Sequence, residues 1–155
     1  MDEQGAALIG EHVRHVLQVM GFEDVQVQCH IGRDDAVRVD IQAGEQGRLL
    51  IGVHGNHLMA LQHIVRCLLR QQMTERAGIV VDVNGYQARR ERSLLEVAND
   101  VANKAQRTGR SVVMEPMSAA DRRTVHNALA QHQNIQTESL GEEPNRRVVV
   151  RPVFL

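Results

Sequence analysis

Two short stretches of this chain alternate strictly between apolar and polar residues, and that pattern narrows its fold more than any other feature. In "DVQVQCHI", residues 24–31, Val25, Val27, Cys29 and Ile31 share one face and Gln26, Gln28 and His30 the other. In "AVRVDIQA", residues 36–43, Val37, Val39 and Ile41 do the same. Side chains on a strand project to opposite faces with a period of two, so each stretch reads as a half-buried strand. The "GRDD" at residues 32–35 predicts a turn between them, and hence a hairpin.

Helical patterns flank the hairpin. Residues 4–20 place Leu8, Ile9, Val13, Val16, Leu17 and Met20 at helical spacing, and Gly21 ends the run. After the hairpin, Leu49–Ile51 predicts a short helix and Gly52-Val53-His54-Gly55 a turn. A long helix follows, with Leu58, Leu61, Val65 and Leu68 on its buried stripe and Arg66 and Arg70 off it. "GIVVDVNG", residues 78–85, predicts a buried strand closed by Asn84-Gly85.

The pattern restarts after Gly85. Residues 86–109 predict a long helix ended by Gly109, with Leu94, Ala98, Val101 and Ala105 buried and Arg92, Glu96, Asp100 and Lys104 on the exposed side. "SVVM" predicts a short strand, and "SAADRRTVHNALA", residues 118–130, a helix whose Ser118 and Asp121 fit a capping box. "NIQTESL" and "RRVVVRPV" predict strands around the loop "GEEPN". The expected fold is α+β, with a domain boundary near Gly85 separating residues 1–84 from 85–155.

A chain of 155 residues suits one ordinary domain or two small ones. Its aromatics are only Phe22, Tyr86 and Phe154, so the core must be aliphatic and no broad base-stacking platform is available. Cys29 and Cys67 read as small buried apolar groups in a reducing compartment, and there is no C-x-x-C to suggest zinc. The first residues are acidic and helical, unlike a signal peptide, and no apolar run approaches membrane-spanning length. These features predict a cytoplasmic protein that is not an integral membrane protein. Charge is uneven: residues 1–45 hold three Arg against nine Asp+Glu, and residues 46–155 hold fifteen Lys+Arg against ten. Positive charge gathered on part of a near-neutral chain hints at a polyanion partner, although a mixed solvated surface explains it equally.

Two motifs carry the functional reading. Gly52 and Gly55 bracket a turn at a helix start, where the backbone can approach a phosphate and free N–H groups face it. Arg122 and His126 lie one helical turn apart, on one face, beside Arg123. A guanidinium there can grip phosphate or stack on a base. Alternatively, the Arg122 stem packs beside the core and its head pairs with Glu142 or Glu143.

In that context the chain resembles a known family. Two alternating strands, a GxxG turn, a long helix and a strand in residues 1–84 resemble a type II KH domain, in the order α-β-β-α-α-β. A KH glycine loop clamps about four single-stranded nucleotides. "GYQARRE" at 85–91, "EPMSAADRRTVHNAL" at 115–129 and "GEEPNRRVVVRP" at 141–152 resemble the R-3-H domain, named for an Arg and a His with three residues between them. KH followed by R-3-H is the arrangement of the bacterial Jag family, the SpoIIIJ-associated, KhpB/EloR-like proteins. Many members begin with a separate small N-terminal domain. This sequence starts at the KH helix, so that domain is not expected. The family's glycine loop usually carries a basic residue where Val53 and His54 stand here, and Asn145 stands where the family tends to have an aromatic. The resemblance implies binding of single-stranded RNA, or of ssDNA, by Gly52, Val53, His54, Gly55, Arg89, Arg90, Arg122, Arg123, His126, Arg146 and Arg147. It also implies bacterial RNA regulation tied to cell elongation and division, with a small KH protein as partner; a homodimer is the other partner expected.

Other chemistry finds little footing. His12 with His15, and His54, His57 and His63, lack the carboxylate or cysteine that would complete a metal site. No nucleophile or phosphate-loop motif is present, so a non-enzymatic protein without cofactors is expected. The competing expectation is a protein-interaction or dimerisation module with a degenerate KH loop. Arginines gathered on one face with His126 favour nucleic acid, and scattered ones favour the interaction module.

Overall fold

The computed structural model describes residues 3–32, 36–70 and 78–153. It is an α+β structure whose contacts divide it into two units, Met1–Gln87 and Ala88–Leu155, each with its own aliphatic core.

In the first unit, helix α1 (Glu3–Val19) buries Ala6, Ile9, Val13 and Leu17, while Leu8 and Met20 stay exposed on its flanks. Strands β1 (Gln26–Ile31) and β2 (Val37–Gln42) pair antiparallel, from Gln26 opposite Gln42 to Ile31 opposite Val37. Residues 33–35 of the expected turn lie outside the described residues. Beside them, the Gly32 N–H donates to the Ala36 carbonyl at 2.8 Å. Helix α2 (Gly47–Ile51), the Gly52–Gly55 turn and helix α3 (Asn56–Arg70) lead to β3 (Ile79–Val83). β3 runs parallel to β2, giving the order β1-β2-β3. The apolar faces of α1, α3 and the sheet meet in one cluster that includes Val37, Val39, Ile41, Val81 and Val83.

The outer edge of β3 is covered by side chains. The Val81 N–H donates to Gln62 Oε1 at 3.0 Å, and Gln87 Nε2 donates to the Val81 carbonyl at 3.1 Å. Arg66 Nε donates to the Ile79 carbonyl at 3.0 Å. Unpaired strand edges invite pairing with other chains, and these three side chains occupy three of the main-chain groups, the Ile79 carbonyl and the Val81 N–H and carbonyl, that would do so.

Two expectations about α3 need correcting. Leu69, not Leu68, completes the buried stripe with Leu58, Leu61 and Val65, and Leu68 is 49% exposed. Successive residues turn by about 100°, so the 58–61–65–69 spacing stays centred on the core and Leu68 swings off it. Cys67 lies on the same outer side and is exposed, its Sγ 3.5 Å from His63 Nε2. Cys29 is half-buried, and burial pushes its thiol pKa up, with Asp40 adding to the rise and Arg14 opposing it.

In the second unit, helix α4 (Tyr86–Thr108) buries Leu94, Ala98, Ala102 and Ala105. Ala102 takes the central place expected of Val101, which packs half-buried at the margin. The Gly109 N–H returns to the Ala105 carbonyl at 2.9 Å and closes the helix. Strand β4 (Val112–Val113), helix α5 (Ala119–Leu129), β5 (Ile135–Leu140) and β6 (Arg147–Pro152) follow. The sheet is antiparallel in the order β4-β6-β5. Its core joins the α4 alanines to Met114, Met117, Val125, Leu129, Val148 and Val150.

Candidate nucleic-acid interface

The Gly52–Gly55 turn is shaped by its glycines. Gly52, His54 and Gly55 all have left-handed φ, at 71°, 53° and 80°. A Cβ on Gly52 would lie 2.4 Å from His57 Cγ, and one on Gly55 2.9 Å from Tyr86 Cε1. His57 is itself held there, its Nδ1 2.7 Å from the Leu49 carbonyl oxygen. Both glycines therefore meet internal neighbours where a side chain would stand. The two residues between them face outward: His54 is exposed and Val53 is 71% exposed. Whatever the turn touches, it touches through Val53, His54 and the main chain.

In the second unit, Ser118 caps α5, its Oγ accepting from the Asp121 N–H at 3.2 Å. Only this half of the expected capping box forms. The Asp121 carboxylate is turned to Arg90, accepting from Nε at 3.1 Å and Nη2 at 2.9 Å. A guanidinium offers charge-assisted bonds that a neutral N–H does not match.

The next residue is the arginine of the motif. Arg122 is 6% exposed, the one buried charged residue among those described. Its Nη1 donates to the Met117 carbonyl at 2.7 Å and its Nη2 to Glu143 Oε1 at 2.6 Å. Of the two acids that sequence offered as partners, Glu143 is the one taken. One turn on, both ring nitrogens of His126 meet hydroxyls of β5: Nδ1 lies 2.7 Å from Thr137 Oγ1 and Nε2 2.8 Å from Ser139 Oγ. Burial lowers the His126 pKa, and the nearby Arg122 charge lowers it further, so the ring is neutral near pH 7. A neutral imidazole has one donor and one acceptor, and the two hydroxyls complement either tautomer.

The expected arginines are partly gathered. Met117 links two of them, its carbonyl accepting from Arg122 and its N–H donating to the Arg146 carbonyl at 3.2 Å. Arg90 joins through Asp121, next to Arg122 in sequence. The Arg147 Nε folds back to the Asn145 carbonyl at 3.2 Å. Arg89, Arg123 and Arg146 are exposed. The cluster is thus real but part-neutralised, since Arg90 and Arg122 are each matched by an acid. Sequence reasoning missed Thr137 and Ser139. The signal was there: Ile135, Thr137 and Ser139 fall at a period of two on one face of β5.

Among the described residues no group of three or more His, Cys, Asp or Glu side chains could hold a metal ion. No described helix is long and apolar enough to cross a membrane.

This unit is an R-3-H domain: residues 92–152 match that family's model, and the match includes Arg122 and His126. Across most of its length the chain is homologous to KhpB proteins of the Jag family. It is 34% identical over 141 residues to the RNA-binding protein KhpB of Clostridium symbiosum, which covers 90% of this chain and 63% of that protein. To the protein of that name from Bacillus subtilis it is 32% identical over 134 residues, covering 85% and 62%. To the one from Streptococcus pneumoniae it is 29% identical over 151 residues, covering 96% and 44%. The chain therefore spans less than two thirds of the length of these relatives.

Proposed function

We propose that this chain is a non-enzymatic protein that binds single-stranded RNA through the R-3-H unit, with the Gly52–Gly55 turn as a second contact. The observation that carries this is the clustering of Arg90, Arg122, His126 and the Arg146 main chain within an R-3-H domain, with Arg123 exposed on α5. The names of the relatives agree with it. For residues 1–84 we propose a type II KH domain. The order α1-β1-β2-α2-α3-β3 and the outward Val53 and His54 support this assignment. A role in bacterial RNA regulation tied to cell elongation and division rests on the Jag resemblance alone.

In the unbound protein Arg122 Nη1 and Nη2 and both ring nitrogens of His126 are already engaged within the unit. Arg123, Arg146, Val53 and His54 are the open groups for a first contact with RNA. Anisotropy of a labelled unstructured RNA tests this. Arg123→Ala with Arg146→Ala should weaken binding about tenfold and flatten the log K against log salt slope by about 1.4, the share of two phosphate contacts. Val53→Asp with His54→Asp should weaken it further. Wild type that binds neither RNA nor ssDNA at low salt would sink the reading.

One observation favours a second reading, an interaction module. Besides Leu68, α3 exposes Met59 and Ile64. A homodimer or a small KH-protein partner would bury such residues. Sedimentation of the wild type against Leu68→Lys distinguishes them: a dimer lost in the variant supports assembly through α3, and a monomer in both removes the homodimer.

A further inference from the structure

We infer that Glu143 is a displaceable stand-in for phosphate, a carboxylate that occupies the open side of Arg122 and must yield when a nucleic-acid phosphate enters. The inference rests on the RNA-binding reading and adds a means of regulation to the same site.

The two acid–arginine pairs of the second unit are built differently. Asp121 holds Arg90 with a carboxylate whose side chain is only 15% exposed, at the capped start of α5, so it is part of the packed structure. Glu143 holds Arg122 with a side chain that is 59% exposed, from the loop between β5 and β6. The buried partner is the arginine and the solvated partner is the acid. One face of the guanidinium system is satisfied from inside by the Met117 carbonyl. The bond that looks outward, from Nη2, is the one Glu143 takes, at 2.6 Å.

A carboxylate and a phosphate present the same kind of acceptor to a guanidinium, anionic oxygens able to accept parallel N–H bonds. Withdrawing Glu143 without a replacement would leave Arg122 buried and uncompensated, which is costly. An incoming phosphate removes that cost by taking its place, while Glu143 gains full hydration. Exchange of one anion for another at a buried cation is therefore feasible, whereas simple opening is not. As long as Glu143 is in place, it lowers the affinity of the site for phosphate.

The test compares Glu143→Gln with Glu142→Gln in the full chain, reading binding of an unstructured RNA by anisotropy at low salt. Glu142 is the exposed neighbour, so both variants remove one negative charge from one loop. The glutamine at 143 keeps an acceptor oxygen for Nη2 but releases the charge of Arg122. Glu143→Gln binding at least about fivefold tighter than Glu142→Gln supports the inference. Equal or weaker binding by Glu143→Gln, with wild-type binding intact, overturns it and leaves the RNA-binding reading standing. No binding by wild type or either variant overturns both. Should Glu143→Gln fail to fold, wild type alone decides: on RNA addition, the carbon resonance of the Glu143 carboxylate must shift more than that of Glu142. If RNA binds and the Glu143 resonance stays put, the carboxylate is a fixed clamp.

Discussion

At the scale of single residues, the two name-giving side chains of this R-3-H domain are structural first. Arg122→Ala removes a buried guanidinium together with its bond to the Met117 carbonyl and its pair with Glu143. The variant should lose about 2 kcal/mol of stability, chiefly because the Met117 carbonyl is left without its donor, read from urea denaturation. His126 makes stability depend on pH. Its folded pKa is lowered below the ordinary 6.5, so the unfolded chain takes up a proton more readily. The stabilisation is complete above about pH 6.5 and is lost as pH falls through that value towards the folded pKa. Urea midpoints at pH 7.5 and pH 5 should therefore differ for wild type and differ less for His126→Gln. A midpoint gap of the same size in His126→Gln would assign the pH dependence to other groups.

At the scale of elements, the glycine turn shows what a substitution there measures. Gly55→Ala meets both a φ of 80° and Tyr86 at 2.9 Å. It should cost about 2 kcal/mol of stability, seen as a lower urea midpoint, before any contact with RNA is considered. Val53→Asp with His54→Asp should leave that midpoint nearly unchanged, because both side chains face solvent. The elements were largely legible in the sequence, since the period-two runs of β1 and β2 and the period-3.6 stripes of α1 and α4 follow directly from burial. What was not legible depended on partners distant in sequence. Leu68 and Leu69 are equally apolar, and only the direction of the core separates them. The Asp121 carboxylate fits a capping box by local spacing, yet Arg90, 31 positions away, claims it. Arg122 could be read as a surface grip or a core-side pair, and the choice rested on how β5 and β6 bring Glu143 to it.

At the scale of the whole molecule, charge is divided along the unit boundary. Met1–Gln87 holds seven Lys+Arg against eleven Asp+Glu, a net of −4, and Ala88–Leu155 holds eleven against eight, a net of +3. A polyanion is attracted to the second unit and repelled by the first. The second unit draws its core entirely from its own residues. A fragment of residues 86–155 should therefore fold alone, giving a dispersed amide spectrum, and its salt slope for RNA should be at least as steep as that of the full chain. A fragment slope clearly shallower than the full chain's would place the main phosphate contacts in the first unit.

The contrast between the two thiols also makes the molecule simple to instrument. Cys67 is open to solvent, while Cys29 is half-buried with its ionisation suppressed, so a maleimide dye at neutral pH should label position 67 selectively. It stands twelve positions beyond Gly55 along α3, about 18 Å at 1.5 Å per residue. A fluorophore there sits near enough to the glycine turn to report what arrives at it, and far enough away to leave it unobstructed.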